Sequence, residues 1–222
     1  MLHLVFTALL LGAATLAAQS STIPPGFKSI FNGKDLSGWH ISTDTHHGNS
    51  QAWRVENGVL SGGQDGPGNG GLLLTNRKYR DVEVYLEIRP DWGCDGGLFF
   101  RSNEKGQSYQ VQINYLPKGE IGGISGEGLA PDGRTVPLNK APDWEKHWKK
   151  HDWNALRALI EGNPPHLVVW LNGAKVNDWT DSTNRAIGGA EDGMIALQVH
   201  GSKGSWIPGG LHRFRNIAVK EH

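Results

Sequence analysis

Cysteine is nearly absent from this sequence: Cys94 is the only one. An internal disulfide is therefore excluded, and a chain that leaves the cell must be held by its core. A lone cysteine with no adjoining His or Asn motif reads as a small packed residue before it reads as a nucleophile. Net charge is also absent, with 22 basic residues against 22 acidic ones, which argues against a general pull toward nucleic acid or an anionic membrane. A neutral partner is expected. Long hydrophobic runs are missing after residue 18, so insertion of a membrane helix is not expected. The apolar stretch at residues 4–18 is too short to span a bilayer and ends in small residues, with Thr15 and Ala17 in an A-x-A-like spacing. Residues 1–18 are read as a secretory signal cut near Ala17 or Ala18, making the mature protein secreted or periplasmic. No cysteine stands at that junction, so a lipoprotein anchor is not expected. A sustained 3.6-residue apolar stripe is lacking too, which excludes a helical bundle.

What the sequence has is glycine, 31 residues of it, placed as turn punctuation. Asn-Gly pairs at Asn32-Gly33, Asn57-Gly58 and Asn172-Gly173 fall beside short apolar runs, which is a hairpin signal. The run DVEVYLEIR, residues 81–89, sets Val82, Val84, Leu86 and Ile88 on one face and Glu83, Tyr85, Glu87 and Arg89 on the other. The same period of two recurs in GLFFRS (97–102), SYQVQINY (108–115) and MIALQVH (194–200). In HRFRNIAVK (212–220), Phe214, Asn216 and Ala218 alternate with Arg213, Arg215, Ile217 and Val219. Many short strands without βαβ alternation predict two packed antiparallel sheets, an all-β sandwich in one domain over residues 19–222. The Gly- and Pro-rich stretch from 117 to 152 reads as a long loop bordering a site.

On the polar faces of these strands stand Glu83, Glu87, Arg101, Gln110, Gln112, Asn114, Gln198 and His200. If the strands are neighbours, carboxylate, guanidinium, amide and imidazole form a lattice, and sugar hydroxyls, which donate and accept, match it. Trp and Tyr would cover the apolar face of a sugar ring. An ordinary solvated sheet face is the alternative reading. Glu83 and Glu87 are not a glycosidase pair: four strand residues at about 3.3 Å each put their backbones roughly 13 Å apart, beyond the ~5–9.5 Å such mechanisms use. The basic residues Lys146, Lys149 and Lys150 are offset by Asp143, Glu145 and Asp152, so this segment reads as a rim with sugar-facing Trp144 and Trp148. The run GGISGEG (122–128) has no helix behind it and is rejected as a nucleotide loop.

FNGKDLSGW (31–39), WRVENGVL (53–60), YRDVEVYLEIR (79–89), GLFFRS, YQVQI (109–113), WLNG (170–173), LQVHG (197–201) and FRNIAVK (214–220) occur in one order. That order resembles the 3-keto-disaccharide hydrolase family of the concanavalin A-like lectin and glucanase superfamily. The resemblance implies a concanavalin A-like jelly roll, export, and cleavage of oligosaccharides or glycosides already oxidised to a ketone at C-3. A ketone there acidifies the C-2 proton, so one base can start an elimination that water completes. By position, the resemblance makes Glu87 a general base or sugar ligand. His200 becomes a second acid/base or metal ligand, and Arg101 a stabiliser of the enolate. Gln112 would orient hydroxyls, with Gln110, Asn114, Gln198, Asp95 and Tyr109 as further substrate-binding residues. The sequence departs from the family pattern by losing a carboxylate at Gln110 and at Asn114 and gaining one at Asp95. A divalent metal ion between His200 and a carboxylate is an open option, since it would stabilise an enediolate. His46, His47, His147 and His151, by contrast, lack the close spacing of a zinc motif. A non-catalytic, lectin-like carbohydrate-binding module is the alternative reading of the same scaffold.

Overall fold

The computed structural model describes residues 23–222; the signal-like run at 1–18 lies outside the described residues. The strands are β1 (Lys28–Ser29), β2 (Trp39–Ile41), β3 (Trp53–Glu56), β4 (Val59–Gly62), β5 (Gly71–Tyr79), β6 (Val82–Pro90), β7 (Gly97–Ser102) and β8 (Ser108–Ile113). They continue with β9 (Ile121–Glu127), β10 (Val136–Asn139), a single helical turn α1 (Trp144–His147), β11 (Asn154–Glu161), β12 (His166–Leu171), β13 (Ala174–Thr180), β14 (Gly193–Val199) and β15 (His212–Glu221). One sheet has eight strands in the order β13-β12-β11-β6-β15-β4-β3, with β1 on β15; the other has seven, β10-β9-β8-β7-β14-β5-β2. The pairings are antiparallel throughout. This is the jelly-roll sandwich expected of the sequence.

Period-two patterning explains the core. Val84, Leu86 and Ile88 from one sheet meet Leu98, Phe100, Val111, Ile113, Leu197 and Val199 from the other. Each such side chain contributes ~1.5–3 kcal/mol on burial, and the single thiol, Cys94, is packed among them. Two of the three Asn-Gly pairs close tight hairpins. Asn57 and Gly58 (φ 51° and 78°) join β3 to β4, and Asn172 and Gly173 (φ 50° and 88°) join β12 to β13. Asn32 instead makes a side-chain turn, its Oδ1 accepting from the backbone of Lys34 and Asp35.

Three expectations need correction. The stretch 117–152 is not a loop: it contains β9, β10 and α1, because Ile121, Ile124 and Ala141 find core positions among the glycines. Trp144 and Trp148 are not exposed rim residues; they are buried and packed edge-on against Tyr115. In β15 the alternation breaks at Asn216 (φ 54°), where the register against β6 shifts. Phe214 is therefore followed into the core by Ile217 and Val219.

Candidate functional site

The outer face of the seven-stranded sheet divides in two. Toward β5, Leu72, Leu74, Phe99, Met194 and Ala196 make a small apolar cluster. The segment after β7 covers it: Gly106 lies against Leu72 and Phe99, and Ser42 Oγ donates to the Glu104 carbonyl at 2.6 Å. Toward β9 the same face is polar. Ser125 Oγ donates to Gln110 Oε1 at 2.7 Å, Gln110 Nε2 donates to Gln198 Oε1 at 3.0 Å, and Gln198 Nε2 stands 2.8 Å from His47 Nε2. This amide chain crosses β7 at Gly97, where a Cβ would collide with the Gln110 side chain.

The loop between β2 and β3 closes over this floor. His46 Nε2 and His47 Nε2 lie 3.4 Å and 3.3 Å from the same Glu127 oxygen, Oε1, while Thr135 Oγ1 donates to Oε2 at 2.6 Å. His200, just past β14, sets its ring 5.0 Å from that of His47. The close approach needs glycine at 201, since a Cβ there would overlap the His47 carbonyl. Asp95 joins from the segment before β7: its carbonyl accepts from His200 N at 3.1 Å, and its Oδ2 accepts from Asn114 Nδ2 at 3.3 Å. A cleft of about 190 Å³ opens beside these groups, lined in part by Asp44, His46, Gln107 and Glu127. A larger cavity of about 410 Å³ lies beyond Met194 around Lys78, Arg101 and Ile187, with no imidazole in its lining.

Burial sorts the ionisable groups. It pushes the Asp95 carboxyl up to about 7, the nearby Glu127 charge adding to the effect against a backbone hydrogen bond from Gly96. It pulls His200 down to about 4, with His47 adding to the fall. Glu127 is also buried, which raises its pKa, but hydrogen bonds from His47 and Thr135 outweigh burial and hold it below its ordinary value. Near neutrality the site therefore combines a neutral imidazole, a carboxyl on the edge of ionisation and a carboxylate. Two imidazole nitrogens and one carboxylate oxygen, from His46, His47 and Glu127, lie within 4.8 Å of one another and could hold a metal ion.

The residues expected from the sequence are thus partly gathered and partly dispersed. Gln110, Gln198, Asn114, Asp95 and His200 meet in one region, and half-buried Gln112 faces Gly97 across the β7–β8 pairing. Glu87 is elsewhere. It lies on β6 in the opposite sheet, with its carboxylate held by Arg215 Nε at 2.6 Å and by Tyr85 OH at 3.2 Å. Both sheets turn one face inward, so the outward residues of β6 and β8 point away from each other. Arg101 also leaves the groove: its φ of 51° breaks the strand alternation, and its guanidinium donates to the Gly162 carbonyl at 2.9 Å and faces Asp81 at 3.4 Å. Tyr109 points into the sandwich, where its hydroxyl donates to Asp181 at 2.9 Å and accepts from Arg185 N at 2.8 Å. Its neighbours Gln110 and Gln112 take the outward positions, as the period of two requires.

Sequence reasoning missed His46, His47, Ser125 and Glu127. The adjacent histidines were visible, but their carboxylate partner is far along the chain. Ser125 and Glu127 stood in a glycine run, where alternation on a strand was the one signal that could have marked them.

Residues 26–220 match the 3-keto-alpha-glucoside-1,2-lyase-like domain. A 3-keto-disaccharide hydrolase of Bacteroides thetaiotaomicron is 28% identical over 87 residues, covering 36% of this chain and 28% of that protein; the match thus spans under a third of that relative's length. A candidate glycosyl hydrolase of Parabacteroides distasonis superposes with a TM-score of 0.59 at 18% identity, over 89% of this chain and 94% of the other. The carbohydrate-binding module CBM66 of Bacillus subtilis does so with 0.57, also at 18% identity, over 83% and 96%. At such identity the structural likenesses speak for the fold, whereas the domain match spans nearly all of the described chain. The protein belongs to the family of 3-keto-alpha-glucoside-1,2-lyase-like domains.

Proposed function

We propose that this protein cleaves glycosides whose sugar carries a ketone at C-3, by elimination across C-1 and C-2 followed by addition of water. The observation that carries the reading is the juxtaposition of His200 and Asp95, joined through the backbone at 3.1 Å. Their surroundings keep the imidazole neutral and raise the carboxyl to about 7, so that a share of it stays protonated near neutrality. Paired groups with environments that favour opposite roles are a signature of acid–base work. His200 takes the C-2 proton made acidic by the ketone; the C-2 electron pair forms the C-1=C-2 double bond as the C-1–oxygen bond breaks, and Asp95 protonates the departing oxygen. The reverse traffic then hydrates the enone: Asp95 takes a proton from water adding to C-1, and His200 returns its proton to C-2. Gln112 and Asn114 orient the sugar hydroxyls, over the floor that Gln110 and Gln198 build.

The family membership supports a keto-sugar substrate, and the signal-like run at residues 1–18 supports action outside the cytoplasm. The likeness to CBM66 supports a second reading, a carbohydrate-binding module without turnover. The two separate on a chromogenic 3-keto-glucoside assayed beside its unoxidised parent. Release of the chromophore from the keto compound alone is the expected result. Release from neither, with sugar binding retained in calorimetry, would overturn the enzyme reading in favour of the module.

A further inference from the structure

His46, His47 and Glu127 are arranged as ligands are. Their donor atoms converge within 4.8 Å, and both imidazole Nε2 atoms address the one oxygen, Glu127 Oε1, that Thr135 does not use. The Thr135 hydrogen bond fixes the carboxylate as outer-shell partners fix ligands. His47 and Glu127 are buried, so their geometry is set by packing, while His46 is exposed and borders the cleft. A second observation comes from His200: its Nδ1 is buried and makes no hydrogen bond, and its ring stands against His47 at 5.0 Å. Gln198 Nε2 lies 2.8 Å from His47 Nε2, and an ion at that nitrogen would take the place of the amide.

We propose that His46, His47 and Glu127 bind one divalent transition-metal ion of the zinc, manganese or cobalt class at the edge of the groove, with at least one coordination position open toward it. Two imidazoles favour such ions over magnesium or calcium, which select oxygen ligands. Three protein ligands are the number found where a fourth position is left for water or substrate, not the closed set of four that builds a structural site. On the reading given under Proposed function, the open position suits the adjacent oxygens at C-2 and C-3, and a bound ion supplies Lewis acidity to the ketone. Its place beside His200 and Asp95 follows from the His47–His200 contact.

The test uses untagged full-length protein stripped with chelator, then titrated with Co²⁺, Mn²⁺ and Zn²⁺. Binding is followed by the visible spectrum of the cobalt form and by metal content after dialysis. The expected result is one ion per chain, with affinity reduced about tenfold or more in His46→Ala and in Glu127→Gln and unchanged in Glu87→Gln. Because His46 is exposed, its variant keeps the fold, which near-ultraviolet circular dichroism verifies. Folded wild type that takes up none of the three ions at micromolar concentration overturns the proposal, and so does uptake that neither variant weakens. Release from the keto-glucoside is measured on the same samples. Uptake at this site without turnover upholds the metal site and removes the proposed reaction; turnover without uptake does the reverse.

Discussion

Gln110 Nε2 donates to Gln198 Oε1 at 3.0 Å across the bare backbone of Gly97. That bond joins β8 to β14 over β7 and places the His47 contact at one end of a continuous polar chain. Gly97→Ala is expected to push the Gln110 side chain off this floor, costing about 1–3 kcal/mol of stability as overpacking does and raising KM more than it lowers kcat. Denaturant unfolding beside steady-state kinetics checks it; unchanged KM in a folded variant would separate the floor from substrate binding.

Turnover is expected to fall as pH rises through about 7, because Asp95 then loses the proton it gives to the leaving group. On the acid side it holds until about 4, where His200 takes up a proton and stops acting as a base. The kcat/KM profile between pH 3.5 and 9 measures both limbs. His200→Ala is expected to lower kcat by about 10²–10⁴-fold, the usual range for general acid–base catalysis; a fall under threefold would remove His200 from the chemistry.

Asp95 also makes a stability prediction. Its folded carboxyl titrates higher than the unfolded one, so between pH 3.8 and about 7 the folded state binds more protons and stability declines as pH rises. Asp95→Asn removes that decline. The variant is expected to match wild type near pH 4 and to melt a few degrees higher, roughly 2–6 °C, at pH 8. Melting curves at the two pH values decide it.

Glu87→Gln is expected to leave turnover within twofold while lowering stability by about 1–3 kcal/mol, since it strips the charge from the buried partner of Arg215. Tyr109→Phe should behave alike through the loss of the Asp181 bond. Loss of turnover in a stable Glu87→Gln variant would mean that the outer face of the eight-stranded sheet takes part after all.

Sequence alone determined the strand pattern, the two Asn-Gly hairpins, the placement of Gln110, Gln112 and Asn114 on one face and the need for a core that holds without disulfides, because a period of two and a turn's φ requirements are local properties. It also carried the family, through motifs spread along the chain. Which sheet each strand joined was decided only by the tertiary structure, since alternation marks two faces of a strand without saying which face of which sheet the polar one becomes. Glu87 and Gln110 look equivalent in that pattern, yet they stand on opposite outer faces of the sandwich. Arg101 left the groove through one positive φ, and Tyr109 followed its strand's inward face. The meeting of His46 and His47 with Glu127 depended on a loop folding over β9, a contact between distant segments that no local periodicity encodes.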